Sequence, residues 1–381
     1  MNFLSDLGKK DLNGKICLVR VDFNLKGNEI NKNNLRIQAV LPTIKFLLKN
    51  NANVLLLSHR GRPEKYQVSG IKYRKKLSLK PVAVILEKLL NQKIKFISAT
   101  ICSSKQKEHF LNSKDRIFLL ENLRFSSGEE KNEKKFAKQL ASLGDIYIND
   151  AFAVSHRANA SVEAITKFLP SYAGLLLEKE IKNLDKVMDN PGRPLVLILG
   201  GAKISDKIGL IENFKNKVDY ILVGGGIANN FLKAQNLPIG DSIYEKKKIK
   251  YAKGLLKNKK IILPADYLVE NRKILDVGSE TTKIYSQIIK KSKTIIWNGP
   301  LGYIEDKKFR KSSETIADTI MISQAFAVIG GGETAALFMA KRLPGNIFIS
   351  TGGGAMLEYL AGKNLPGIKA LNNKKIKTNS L

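Results

Sequence analysis

The 381-residue sequence holds only two cysteines, Cys17 and Cys102. They make no disulfide framework, and neither has a partner at metal-ligand spacing. That scarcity fits a reducing cytosol. No apolar run reaches the ~20 residues that a bilayer span needs, and Met1 to Asp11 lacks the apolar stretch of a secretory signal. The expectation is a cytoplasmic chain with no membrane partner. The G-x-x-x-x-G-K-[ST] phosphate loop is absent, which excludes a Walker-type ATPase. The G-x-G-x-x-G fingerprint is missing from the start of any βαβ unit, which argues against a dehydrogenase. No repeat of solenoid length is present.

Arginine is scarce too. Of 65 basic residues, 53 are Lys and 12 are Arg. The net charge of +31 raises the question of nucleic acid. The lysines are scattered, however, with short clusters such as Lys246 to Lys248, and lack the dense basic run with interleaved aromatics of a nucleic-acid binder. Lys, Asn and Ile are abundant together and share AT-rich codons, so the surplus reads as coding bias on a solvated surface. No nucleic-acid partner is expected, although the field favours anionic substrates. In such a chain an Arg marks a place where a planar, bidentate fork is needed.

A length of 381 residues and 43% hydrophobic content support two cores and hence two domains. Apolar runs of strand length alternate with helix-period segments throughout. Strands are expected at Ile16–Phe23, Val54–Ser58, Ile94–Ile97, Ile117–Leu120 and Ile146–Ile148, with helices at Leu35–Lys49, Pro81–Leu90 and Glu130–Leu143. The second half repeats the pattern, with strands at Leu195–Leu199, Tyr220–Val223, Ile261–Leu263, Thr294–Trp297, Phe326–Ile329 and Ile347–Ser350. This implies an α/β fold of parallel sheets covered on both faces. Ser171–Asn190 reads as one amphipathic helix, ended by Asn190-Pro191-Gly192. It is either a lever between domains, residues 1–170 and 191–369, or an ordinary core helix.

Ligands of open parallel sheets bind at the carboxyl ends of strands. In the first half those ends carry Asp22-Phe23-Asn24, Ser58-His59-Arg60-Gly61-Arg62, Glu121-Asn122-Leu123-Arg124 and Asn149-Asp150, followed by His156-Arg157. Arg36 opens the first long helix. Singly, each is a turn cap, a loop histidine or a surface ion pair. Together, Arg36, Arg62, Arg124, Arg157 and His59 suit a phosphate plus a carboxylate, while Asp22 and Asn24 suit hydroxyl groups. The ligand class is a small phosphorylated hydroxy acid. In the second half, Gly200-Gly201-Ala202-Lys203, Gly224-Gly225-Gly226, Gly330-Gly331-Gly332-Glu333-Thr334 and Gly352-Gly353-Gly354 each follow a strand. Glycines there admit a ligand close to backbone, and helix N-termini favour phosphates. Lys203 and Lys207, four apart, suit phosphates or are plain solvated lysines. Glu333 is a Mg²⁺ ligand or a helix-dipole partner. Asn298 is a turn residue by default, and Glu305 can accept from a ribose hydroxyl.

These strings, in this order, resemble phosphoglycerate kinases. The carriers are Val19-Arg20-Val21-Asp22-Phe23-Asn24, Ser58 to Pro63, Leu120 to Phe125, Asn149 to Phe152 with His156-Arg157, Gly200 to Lys207, Trp297 to Pro300 and Ser350 to Ala355. The resemblance spans nearly the whole chain. It implies two Rossmann-like three-layer domains facing each other across a hinged cleft, joined by an interdomain helix at 171–190, with the tail from about residue 370 folded back on the first. It implies a 3-phosphoglycerate (or 1,3-bisphosphoglycerate) site at Asp22, Phe23, Asn24, Arg36, His59, Arg60, Gly61, Arg62, Arg124 and Arg157. It also implies a Mg-ATP or Mg-ADP site at Gly201, Lys203, Lys207, Gly225, Asn298, Glu305, Gly331, Gly332, Glu333 and Thr334, with Glu333 on the metal. Arg36 and Lys203 are the expected catalytic pair, and the expected state is monomeric. The family usually has Asp where Glu333 stands, which puts direct metal coordination in question. It often has His where Asn159 stands, a small residue where Met356 stands, and an apolar residue where Arg60 stands. A non-catalytic family member therefore stays open.

Overall fold

The computed structural model describes residues 1–63, 71–100, 105–339 and 341–372. The chain divides into two compact units, Met1–Ile181 together with the stretch from Asn364, and Lys182–Lys363; the expected tail lies, beyond residue 372, outside the described residues. Each unit is a parallel sheet between helices.

The first unit holds β1 (Ile16–Arg20), β2 (Asn53–Leu57), β3 (Ile94–Ile97), β4 (Ile117–Leu120), β5 (Ile146–Asn149) and β6 (Ser171–Ala173). Their order is β3-β4-β2-β1-β5-β6, all parallel. β1, β2 and β4 are apolar almost without interruption and buried, as strands covered on both faces must be. From β1 the chain pairs to one side with β2 and later to the other with β5, which opens a crevice at the carboxyl ends of β1 and β5. The helix Leu35–Lys49 covers one face and sends Ile37, Val40, Leu41, Ile44 and Leu47 into the core. Asn34 caps it, accepting from the Arg36 and Ile37 N–H groups at 2.9 and 3.4 Å.

The second unit holds β7 (Leu195–Leu199), β8 (Tyr220–Val223), β9 (Ile261–Ile262), β10 (Tyr267–Glu270), β11 (Lys273–Val277), β12 (Thr294–Asn298), β13 (Phe326–Gly330) and β14 (Ile347–Ile349). The main sheet runs β14-β13-β12-β7-β8-β9. This is the doubly wound order, and its switch point lies between β7 and β12. Trp297 on β12 is fully buried, edge-on to Phe338 at 5.9 Å. Its indole N–H donates to the Gly299 carbonyl at 2.7 Å, so the core itself holds the turn that follows β12.

Two local readings are corrected, and one ribbon was not foreseen. Ser171–Asn190 is not one helix: Ser171–Ala173 is β6, and the helix is Leu175–Met188. Asp150, at the end of β5, accepts the Leu176 and Leu177 N–H groups at 2.9 and 3.2 Å, and Thr43 Oγ1 accepts that of Leu175 at 3.1 Å. Long-range caps thus set that helix start. Glu130–Leu143 is two helices, Ser127–Glu130 and Lys134–Ala141, parted at Asn132 with φ 54°. The antiparallel ribbon β10–β11 turns on Asn271 and Arg272, φ 47° and 62°. That geometry normally announces itself with Asn-Gly.

Candidate active site

The carboxyl ends of the four adjacent strands β4, β2, β1 and β5 carry the candidate residues of the first unit. After β1, Phe23 turns its side chain into the core, and its N–H donates to Ser58 Oγ at 2.9 Å. Asp22 and Asn24 flank it. Arg36 Nη1 lies 3.1 Å from the Asp22 carboxylate and donates to the Asn24 carbonyl at 3.0 Å. Gly61 N–H donates to Asn24 Oδ1 at 2.8 Å, joining the loops after β1 and β2. Arg124 Nη1 donates to the Gly61 carbonyl at 2.7 Å, and its Nε pairs with Glu130 at 3.1 Å. Arg157 Nε donates to His156 Nε2 at 3.2 Å.

His59 reports the convergence electrostatically. Burial, then the guanidinium groups of Arg20, Arg124, Arg157 and Arg36, push its imidazole well below the ordinary histidine range. The ring is therefore neutral at pH 7. Burial also presses Arg124 down to about 10, which leaves it charged. Arg62 is exposed and has no ion-pair partner among the described residues. Arg60 points elsewhere: its guanidinium is buried against the carbonyls of Leu25 and Ser78, at 2.8 and 3.0 Å. Its backbone N–H and carbonyl both bond the Asn122 amide, at 3.0 and 2.6 Å. Asn159 is buried under the same region and reaches the Glu129 carbonyl at 3.3 Å.

In the second unit two cavities meet at the switch point. One, of about 350 Å³, is bordered by Gly201, Lys203, Asp206, Lys207, Asn298 and the turn Gly331–Thr334. The other, of about 600 Å³, shares Gly201, Ala202 and Glu333 with it and continues past Gly225 and Gly226 to Ile243, Leu275, Tyr303, Glu305 and Phe309. The first is small, glycine-walled and lysine-edged, which suits phosphates. The second is apolar with carboxylates at its rim, which suits a base and ribose.

Close backbone packing requires the glycines. A Cβ on Gly299 (φ 91°) would sit 2.3 Å from the Gly200 carbonyl oxygen, and one on Gly225 (φ 56°) 2.9 Å from that of Gly201. Lys207 Nζ donates to Asn298 Oδ1. Burial lowers its pKa, against the opposing pull of Asp206 and Glu333. Met356 fills the space beneath Gly330. A nucleotide-bound Mg²⁺ takes one or two carboxylates with phosphates and waters, and Glu333 and Asp206 beside the phosphate cavity fit that donor set.

A sequence profile of the phosphoglycerate kinase family matches residues 5–363. The chain belongs to the phosphoglycerate kinase family. The phosphoglycerate kinase of Herpetosiphon aurantiacus is 43% identical over 388 residues, covering 95% of this chain and 97% of that one. That of Finegoldia magna is 42% identical, covering 96% and 98%. Solved phosphoglycerate kinase structures superpose across 97% of this chain and 98% of theirs: Coxiella burnetii at TM-score 0.81 and 37% identity, Pyrococcus horikoshii at TM-score 0.83 and 30%. The chain is thus a glycolytic phosphotransferase with a carboxyl group as acceptor, and it uses a nucleotide.

Strand-end reasoning did not single out Arg20, Glu129 or Ser161, a buried cluster behind His59. Arg20 closes the apolar strand β1, and that was the available signal: a charged residue in a strand buried on both faces needs a partner. Asp206, between the two lysines, was the other omission.

Proposed function

We propose that this chain catalyses reversible phosphoryl transfer between ATP and 3-phosphoglycerate, giving ADP and 1,3-bisphosphoglycerate. The carrying observation is the pairing of an arginine-lined crevice in one unit with a glycine-walled double cavity at the switch point of the other. In this reading the first unit holds the phosphoglycerate. Arg62, Arg124 and Arg157, with the His59 N–H, take its phosphate and carboxylate, while Asp22 and Asn24 take its hydroxyl. The second unit holds the nucleotide, with its phosphates at Lys203, Lys207 and the N–H groups of Gly331–Thr334, and its ribose at Glu305.

The attacking carboxylate is ionised at pH 7, so the reaction needs no general base. Catalysis then rests on positioning and on neutralising charge in a loose transition state. Arg36 and Lys203 supply positive charge to the transferring group, and Lys207 grips the nucleotide phosphates. Mg²⁺, when bound to the nucleotide, would neutralise its phosphates, with Glu333 and Asp206 as the protein's carboxylates. The carboxylate and the γ-phosphorus are held by different units, so transfer requires those units to bring their ligands together, which also excludes the water that hydrolyses an acyl phosphate.

The reading takes the chain as a cytosolic monomer that acts on small anions, with neither nucleic acid nor membrane as partner. Among the described residues no helix is long and apolar enough to cross a membrane. The test is ligand-resolved binding. Phosphoglycerate should perturb His59 and Arg124, and ADP should perturb Lys207 and Trp297. Phosphoglycerate signals confined to the second unit would contradict it.

A further inference from the structure

We propose that Arg20 is a positioning residue that locks His59 as the neutral tautomer protonated on Nε2, so that this ring offers the anion a neutral N–H beside the charged arginines. Arg20 ends β1 and is 1% exposed. All three of its guanidinium nitrogens are engaged by the protein. Nε donates to Ser161 Oγ at 2.8 Å, Nη1 to the Val21 carbonyl, and Nη2 lies 3.0 Å from His59 Nδ1. A guanidinium only donates. His59 Nδ1 must therefore accept, and the ring proton must reside on Nε2. The ring cannot take a second proton without setting two cations against each other across that contact.

The surrounding charges act in the same direction. Arg124 follows β4, Arg157 follows β5, and Arg36 opens the helix Leu35–Lys49; each opposes protonation of His59. The carboxylates of the cluster are turned to the arginines rather than to the ring: Asp22 to Arg36 and Glu130 to Arg124, at 3.1 Å each, and Glu129 to Arg20. Glu129, on the helix Ser127–Glu130, lies 4.0 Å from Arg20 Nη2 and accepts from Ser161 N–H and Oγ–H at 2.9 and 2.6 Å. Tyr147 closes the cluster by donating to the Ser161 carbonyl at 2.6 Å. Arg20, although cationic and beside the site, thus has each of its guanidinium nitrogens committed to the protein, and Nε2 is the ring nitrogen left to the ligand. The identity of that ligand rests on the function proposed above; the tautomer does not.

Imidazole ¹⁵N correlation spectra test this directly, since the sequence has only three histidines. His59 is assigned by the signal lost in His59→Gln. In the ligand-free wild type, His59 should show one neutral ring protonated on Nε2, without titration, between about pH 5.5 and 8. Folded Arg20→Met should lose that pure state and gain the other tautomer or a titration in the range. A wild-type ring protonated on Nδ1, a wild-type midpoint in the ordinary histidine range, or an unchanged ring in folded Arg20→Met would each overturn the proposal. Should Arg20→Met fail to fold, the wild-type series still decides. Added 3-phosphoglycerate should move Nε2 more than Nδ1. The predicted tautomer with both nitrogens unmoved by phosphoglycerate would support the Arg20 lock and overturn the ligand contact.

Discussion

Arg36 holds two partners that an arriving substrate must compete with, the Asp22 carboxylate and the Asn24 carbonyl. The account assigns it to the transition state rather than to the nucleotide. Arg36→Ala should cut turnover on the order of 100-fold while ADP affinity stays within about 2-fold. A variant that loses only nucleotide affinity would refute that role. Glu333 carries the metal question: Glu333→Gln should raise the Mg²⁺ requirement about 10-fold and leave the Michaelis constant for phosphoglycerate unchanged. An unaltered Mg²⁺ titration would remove Glu333 from the metal site. At this scale the sequence placed residues better than it aimed them. Asp22, Asn24 and His59 follow buried strands within a few residues, and Arg124 and Arg157 follow within four and eight, which is what made their shared end of the sheet readable. Phe23 and Arg60 occupy the same loops but turn inward, onto the core and onto two carbonyls, and spacing along a chain carries no rotamer.

Among the elements, the sheet strands were the most legible, because an uninterrupted apolar run between polar turns fits little else. The start of the helix Leu175–Met188 was not, since its caps, Asp150 and Thr43, lie just after β5 and on the helix Leu35–Lys49. Asp150 is fully buried, its Oδ2 has no hydrogen-bond partner among the described residues, and burial raises its carboxyl from 3.8 to about 6 against the opposing pull of Thr43 and of the Leu177 and Leu176 N–H groups. A raised carboxyl pKa contributes stability below the unfolded value, and that contribution is lost as pH rises through the folded value. Asp150→Asn should therefore gain on the wild type between about pH 4 and 7, by up to ~3 kcal/mol. Paired denaturant titrations at the two pH values measure this, and a gap that does not change with pH would contradict it.

For the whole molecule, the account gives each of two compact units one half of the chemistry, in a chain with a surplus of 31 positive charges. Composition suggested that surplus; it was silent on where the arginines would gather, which only the strand order settles. Long-range attraction of anionic substrates should weaken as salt shortens the Debye length. Michaelis constants for ATP and phosphoglycerate should accordingly rise from low salt to physiological ionic strength, with little change in turnover number; salt-independent constants would show that the field has no part in substrate capture. The central claim, that arginine crevice and glycine cavity serve one phosphoryl transfer, is tested most directly by following ATP consumption with 3-phosphoglycerate and Mg²⁺ while a coupled dehydrogenase removes the acyl phosphate. The account predicts turnover that needs all three components. Folded protein that binds both ligands yet shows no turnover would contradict it.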